Sequence, residues 1–341
     1  MQQVWIPRIG APSVLEVRES ADPEPESGQV RIQVQASGIN FADLMARMGL
    51  YPDAPPLPAV VGYEVAGVID AVGAGVDESR LGQDVVAMTR FGGYSSAVTV
   101  PARQAVERPE GLDAVHAAAI PVTGLTAWMM LEQMARVREG DRVLVHSAGG
   151  GVGLMALDLI KRRNAVAIGT ASAHKHPFLL ERGYNQVIDY RTDDFAEVLA
   201  EQEAIDIILD PVGGASWAKG LRLLAPGGRL VCFGFSSNAV APTRKVWSAI
   251  SNLWAVPWTR FNPVWLMNHN AGVLGCNMGH MWEHSALVTR WLSDLIPLWQ
   301  QGQIRPVIHA TFPFSQAAEA HQLIHDRQNL GKVVLIPDGV T

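Results

Sequence analysis

The chain has 341 residues, 48% hydrophobic and 18% charged, which supplies enough apolar material for two packed domains and excludes wholesale disorder. Its 27 basic and 33 acidic residues give a net charge of −6, so a broad nucleic-acid-binding face is not expected. Two cysteines, Cys232 and Cys276, rule out a disulfide framework and any site needing three or four thiolates, and they suit a reducing, cytoplasmic setting.

The opening MQQVWIPRIG has no apolar core of a signal peptide. The segment up to about residue 120 reads as β-rich, with strands expected over 29–37, 64–73 and 84–88 and Gly/Pro punctuation between them, as in PDAPPLP at 52–58. Residues 114–131 are almost uncharged, but His116, Pro121 and two threonines fit a buried helix pair better than a membrane span. After residue 123 short apolar runs alternate with helix-length segments. RVLVHS at 142–147 precedes a helix over 151–163. AVAIG at 165–169, QVIDY at 186–190 and AIDIILD at 204–210 are each followed by a helical stretch, and RLVCFG at 229–234 follows SWAKGLRLLAPGG. Continuous apolar strands alternating with helices mean an α/β, doubly wound parallel sheet. A helix around residues 282–302 is then followed by strand, helix and strand to the C-terminus. Trp247, Trp254, Trp258 and Trp265 fall in one interrupted stretch that cannot span a bilayer. That stretch is expected either to cover an apolar pocket, to mediate an oligomer contact, or to lie on a membrane surface.

The strand VLVHS runs into Ala148, Gly149, Gly150, Gly151, Val152 and Gly153, and a helix follows. Aligned to G-x-G-x-x-G, Ala148, Gly150 and Gly153 take the three key positions: a tight turn, close backbone approach to a pyrophosphate, and close helix–strand packing. The helix start offers free N–H groups to a phosphate. An NAD-binding fold places a carboxylate ~20 residues on, for the ribose 2′-hydroxyl. Residues 168–176, IGTASAHKH, contain none and offer Ser172 and Lys175, a hydroxyl and a cation suited to a 2′-phosphate. NADPH is therefore expected over NADH.

Residues 37–76 carry the frame Gly62-x-Glu64-x-x-Gly67 with Gly73 and Val76 beyond it. This frame, with FADLMARMGLY, VLVHSAGGGVG, GTASAHKH, VIDYRTDDF and DPVGGASWAKG, resembles the quinone-oxidoreductase branch of the medium-chain dehydrogenase/reductase superfamily. Together with the tryptophan-rich stretch, it is similar to the vesicle amine-transport-protein-like subgroup. The resemblance implies a GroES-like β-rich catalytic domain over 1–122 and 302–341, and a Rossmann NADPH-binding domain over 123–301. Zinc alcohol dehydrogenases of this superfamily have histidine where this chain has Tyr63 and a cysteine ligand where it has Asn40. No cysteine precedes Cys232, so the zinc ligand set cannot be assembled at these positions and no metal is expected.

Carried over residue by residue, the resemblance implies that Asn40 and Thr126 position the nicotinamide side. Gly150 to Val152 meet the pyrophosphate, and Ser172, Lys175 and Tyr190 surround the 2′-phosphate. Phe233, Gly234 and Ser236, with Asn329 and Lys332, close over the cofactor. Met45 replaces the first of two pocket tyrosines and Tyr51 retains the second. Tyr51 reads either as a proton or oxyanion donor or as a packed aromatic at the pocket mouth. Asp43 and Arg47 are expected to pair or to hold their loop. The implied activity is zinc-independent, NADPH-dependent reduction of quinones or α,β-unsaturated carbonyls, since nothing here lowers the pKa of an alcohol. The alternatives are a 2-enoyl-thioester reductase, or a cofactor-binding protein at a membrane or partner surface with vestigial activity. A homodimer is expected, with the strand around Cys276 at the sheet edge.

Overall fold

The computed structural model describes residues 1–235 and 261–339. The chain divides into two units, Met1–Leu125 with Met278–Thr341, and Thr126–Asn277.

The first unit is built on a mostly antiparallel sheet. Its central strand is β3 (Gln29–Gly38), which pairs with β4 (Glu64–Val72), β6 (Ala97–Pro101) and β15 (Lys332–Ile336). β5 (Asp84–Met88) and β7 (Val106–Glu107) continue one side, and β14 (Ile308–Pro313) continues the other by pairing in parallel with β15. β1 (Gln2–Trp5) and β2 (Glu16–Glu19) form a separate hairpin-like pair. Alternation along β3 buries Val30, Ile32 and Val34 against Val65, Ile69 and Val85. A second apolar cluster joins Ile39, Leu44, Val61, Tyr94, Phe314 and Leu335. It lies under the short helix α1 (Phe41–Arg47) and α10 (Ala317–His325).

Among the described residues, the second unit holds six parallel strands: β8 (Arg142–His146), β9 (Val166–Ala171), β10 (Gln186–Asp189), β11 (Ile205–Asp210), β12 (Leu224–Cys232) and β13 (Gly272–Gly275). Their order is β10-β9-β8-β11-β12-β13. The direction of winding reverses beside β8, whose C-terminal end is where ligands bind in open α/β sheets. The helices α4 (Gly151–Arg162), α5 (His176–Arg182), α6 (Phe195–Ala200) and α7 (Ala215–Leu221) alternate with these strands, and α8 (Pro263–His269) precedes β13.

The expected helix pair over 114–131 forms as α2 (Ala114–Ala117) and α3 (Pro121–Trp128), continued by a π-turn over Met129–Met134. This stretch is long and apolar enough to cross a membrane, yet two-thirds of its most apolar window is buried within the protein. Met130 is fully buried and Met129 only partly.

Two boundaries differ from expectation. The stretch through 225–228 belongs to β12, because Leu224 already pairs with Ile205, and a register shift absorbs the Pro-Gly-Gly turn residues. α9 (Ser285–Gln300) falls in the first unit instead of the Rossmann domain. It buries Val288, Leu292 and Leu295, and a side chain at Gly124 would collide with Leu295 at 2.4 Å.

Candidate functional site

In the first unit the polar residues form one buried cluster. α1 starts at Asn40, where the chain leaves β3. The third helical residue, Asp43, accepts the Asn40 backbone N–H at 2.8 Å, which is half of a capping box. The same carboxylate accepts the Gly62 N–H at 3.0 Å and the Tyr94 hydroxyl at 3.0 Å. Gly62 is required here. Its φ is +102°, and a Cβ would lie 2.7 Å from the Tyr94 nitrogen. Tyr94 also lies 3.3 Å from His321 Nε2. Since Tyr94 donates to Asp43, the histidine is assigned as donating to Tyr94. Burial pushes the Asp43 carboxyl up to about 7, against the pull of its hydrogen-bond donors and of Lys332. Burial and the Arg47 charge hold His321 down to about 3. Arg47 itself does not pair with Asp43. It is 1% exposed, donates to the Gly10 carbonyl at 2.6 Å, and burial lowers it to about 10.

Asn40 is held from both ends. Its Oδ1 accepts from Lys332 Nζ at 2.5 Å and its Nδ2 donates to Glu64 Oε1 at 2.8 Å. Lys332 Nζ lies 2.5 Å from the same Glu64 oxygen, and Glu64 Oε2 accepts the Val122 N–H at 2.7 Å. Glu64 and Lys332 are buried. Lys332, expected over the cofactor, is thus turned into the protein, because β15 pairs Val334 with Gly38 and brings the strand's first residue beside Asn40. Asn329 stays nearer the surface, its side chain donating to the Gly331 carbonyl at 2.9 Å.

Beside this cluster Tyr51 is half-buried. It packs edge-on against Tyr63, with ring centroids 6.3 Å apart and planes at 84°. Tyr63 in turn meets Phe91 at 5.1 Å. Tyr63 was noted in the sequence only as a missing zinc ligand, and its place in an aromatic pocket was not foreseen. Met45 is half-buried on α1.

The second unit presents the dinucleotide half. α4 starts with Gly150 as its N-cap, and Ser147 adopts φ +58° in the turn before it. A Cβ on Gly153 would lie 2.6 Å from the Ala148 carbonyl oxygen, so the third small residue is fixed by helix–strand packing. The Tyr184 hydroxyl donates to the Gly153 carbonyl at 2.9 Å. Ser172 and Lys175 sit just past the end of β9, with Ser172 buried, and Tyr190 is 42% exposed just past β10. The structure adds a carboxylate that residues 168–176 lack: Asp189, at the end of β10, accepts the Ala173 N–H at 3.3 Å. Thr126 is buried in α3, and Phe233 and Gly234 follow β12. Ser236, Trp247, Trp254 and Trp258 lie outside the described residues. Trp265, on α8, stacks on His269 at 4.0 Å.

Two family models match the chain, the alcohol dehydrogenase GroES-like domain over residues 26–110 and the zinc-binding dehydrogenase over 182–335. The synaptic vesicle membrane protein VAT-1 homolog of Rattus norvegicus is 39% identical over 328 residues, spanning 95% of this chain and 80% of the relative. The chain belongs to the VAT-1-homologue branch of the medium-chain dehydrogenase/reductase superfamily. Among solved structures, the human VAT-1 homolog-like protein superposes with a TM-score of 0.85 at 30% identity, covering 100% of this chain and 99% of the other. Escherichia coli quinone oxidoreductase, complexed with NADPH, gives 0.84 at 29% identity, covering 99% and 100%.

The zinc in one family description does not fit the residues of this VAT-1-like chain. Asn40 and Tyr63 are poor zinc ligands, and the Lys332 ammonium already bonds both Asn40 and Glu64. Among the described residues no group of three or more His, Cys, Asp or Glu side chains is placed to hold a metal ion.

Proposed function

We propose that this chain is an NADPH-dependent, zinc-independent oxidoreductase that reduces quinones or α,β-unsaturated carbonyls. The observation that carries the reading is the ammonium of Lys332, seated between Asn40, which stands where zinc relatives have a cysteine ligand, and Glu64, the neighbour of the Tyr63 that stands where they have a histidine ligand. With a fixed organic cation there, the chemistry is best suited to an acceptor that is already electron-poor. The NADPH-bound relative and the phosphate loop at Ala148–Gly153 support the choice of cofactor.

The reduced nicotinamide, when bound, supplies a hydride. The chain's own residues do the rest. Gly150 to Gly153 and the start of α4 bind the pyrophosphate. Ser172 and Lys175 take the 2′-phosphate, with Asp189 holding the Ala173 backbone behind them. Asn40, its amide nitrogen occupied by Glu64, has a lone pair on Oδ1 left to accept from a ribose hydroxyl. Tyr51 donates a proton to the acceptor oxygen as that oxygen gains charge. The two free thiols suit a cytoplasmic enzyme, and β13 at the sheet edge suits a homodimer.

The test is an NADPH-oxidation screen over menadione, crotonaldehyde and crotonyl-CoA, repeated with NADH. Turnover of menadione or crotonaldehyde with NADPH supports the reading. Turnover of crotonyl-CoA alone moves the protein to the enoyl-thioester reductases. Tight NADPH binding with no turnover leaves a cofactor-binding protein.

A further inference from the structure

Tyr63 is 5% exposed, and its hydroxyl has no hydrogen-bond partner among the described residues. Burying a hydroxyl without a partner costs desolvation free energy with no return, so natural cores avoid it. Phenylalanine would fill the same space between Tyr51 and Phe91 without that cost. Its ring also packs edge-on against Tyr51, the proposed proton donor of this pocket.

We propose that Tyr63 is a positioning residue for Tyr51: its hydroxyl, with no well-formed bond to any other described residue, donates to the Tyr51 oxygen and strengthens that contact once Tyr51 has passed its proton to the acceptor. The inference rests on Tyr51 acting as the proton donor. In the step, the Tyr51 O–H bond breaks and an O–H bond forms on the acceptor. The acceptor is reduced by hydride from the nicotinamide, which is oxidised. The charge left on the Tyr51 oxygen is met by the Tyr63 O–H, and water later returns the proton to Tyr51. A neutral Tyr51 oxygen accepts only weakly; a phenolate accepts a short, charge-assisted hydrogen bond from the Tyr63 hydroxyl.

The electrostatics agree with this geometry. Burial raises both phenols, and the carboxylates of Asp43 and Asp53 push both further. Against that background the Tyr63 hydroxyl lowers Tyr51, while Tyr51 raises Tyr63, so a proton leaves Tyr51 first. Asp53 itself lies 2.8 Å from His280 Nε2 at the exposed end of the loop beyond Tyr51.

The chain has five tyrosines, few enough to follow one by one after uniform fluorotyrosine labelling, which also brings phenol titration to milder pH. Fluorine NMR titrations of the wild type, Tyr51→Phe and Tyr63→Phe assign the two rings. The expected result is that Tyr63→Phe moves the Tyr51 titration to higher pH and leaves the melting temperature unchanged or raised. With menadione and NADPH, kcat is expected to fall about tenfold with KM within about twofold, the size of one hydrogen bond to a charged group. An unmoved Tyr51 titration in Tyr63→Phe overturns the inference, whatever the melting temperature does. Wild-type turnover in Tyr51→Phe instead removes Tyr51 as donor, a separate result that the Tyr63 titration does not share.

Discussion

Lys332 Nζ lies 2.5 Å from Asn40 Oδ1, across 292 positions of sequence. This contact ties the last strand of the first unit to the start of α1. It sets the orientation of the carboxamide that the family resemblance places beside the nicotinamide. Because Glu64 is shared between the two residues, removing Lys332 leaves a buried carboxylate uncompensated. Lys332→Met is expected to lower stability by about 3–5 kcal/mol. The double variant Lys332→Met, Glu64→Gln should recover part of that loss. Urea denaturation of the two variants checks this, and an additive double variant would show that the pair is not coupled.

The His321–Tyr94–Asp43 chain gives stability two opposite pH dependences. His321 is held down to about 3 in the fold against an ordinary 6.5, so its contribution is present above 6.5 and is lost as pH falls toward 3. Asp43 is raised to about 7 from 3.8, so its contribution is present below 3.8 and is lost as pH rises toward 7. His321→Phe should therefore lose less stability than the wild type between pH 6.5 and 4. Asp43→Asn should be less stable throughout and should lose the downward slope between pH 4 and 7. Thermal melts across that range measure both.

Gly153→Ala places a Cβ 2.6 Å from the Ala148 carbonyl oxygen, which is backbone and cannot swing away. The helix must shift off β8, and the phosphate loop with it. The expected outcome is a loss of about 1–3 kcal/mol in stability from overpacking, and weaker NADPH binding in a fluorescence titration. Unchanged NADPH affinity would place the dinucleotide elsewhere.

Lys175→Ala should weaken NADPH by roughly 10- to 100-fold while leaving NADH within a few-fold, the signature of one charge-assisted contact to the 2′-phosphate. Parallel dissociation constants for the two cofactors read this directly. Equal losses for both would assign Lys175 to general folding, not cofactor choice.

Local pattern made most of the fold legible. DVVAM at 84–88 reads as a strand and is β5 without an error at either end, because alternation and β-branching agree with its burial. The phosphate loop is legible because strand, glycines and helix start follow in order. Asp43 and Arg47 were expected to pair or to hold their loop; they do not pair, and Asp43 holds the Asn40 and Gly62 backbone, a partner that the capping pattern of Asn40 followed three residues on by an acidic residue could have shown. Lys332 was expected to close over the cofactor, and nothing local says that the first residue of KVVLI enters the core. That follows from the antiparallel register of β15 on β3, a contact between distant segments. Tyr63 was visible as a substitution at a zinc position, but its neighbours Tyr51 and Phe91 come from two separate loops. The partner of α9 was hidden for the same reason.

The most direct test of a metal-free reductase is the rate of NADPH oxidation with menadione or crotonaldehyde, before and after exhaustive dialysis against dipicolinate. The expected result is acceptor-dependent NADPH consumption that survives the chelator unchanged and is slower with NADH. Loss of turnover on chelation with recovery on added zinc, or no NADPH consumption with any acceptor, would contradict it.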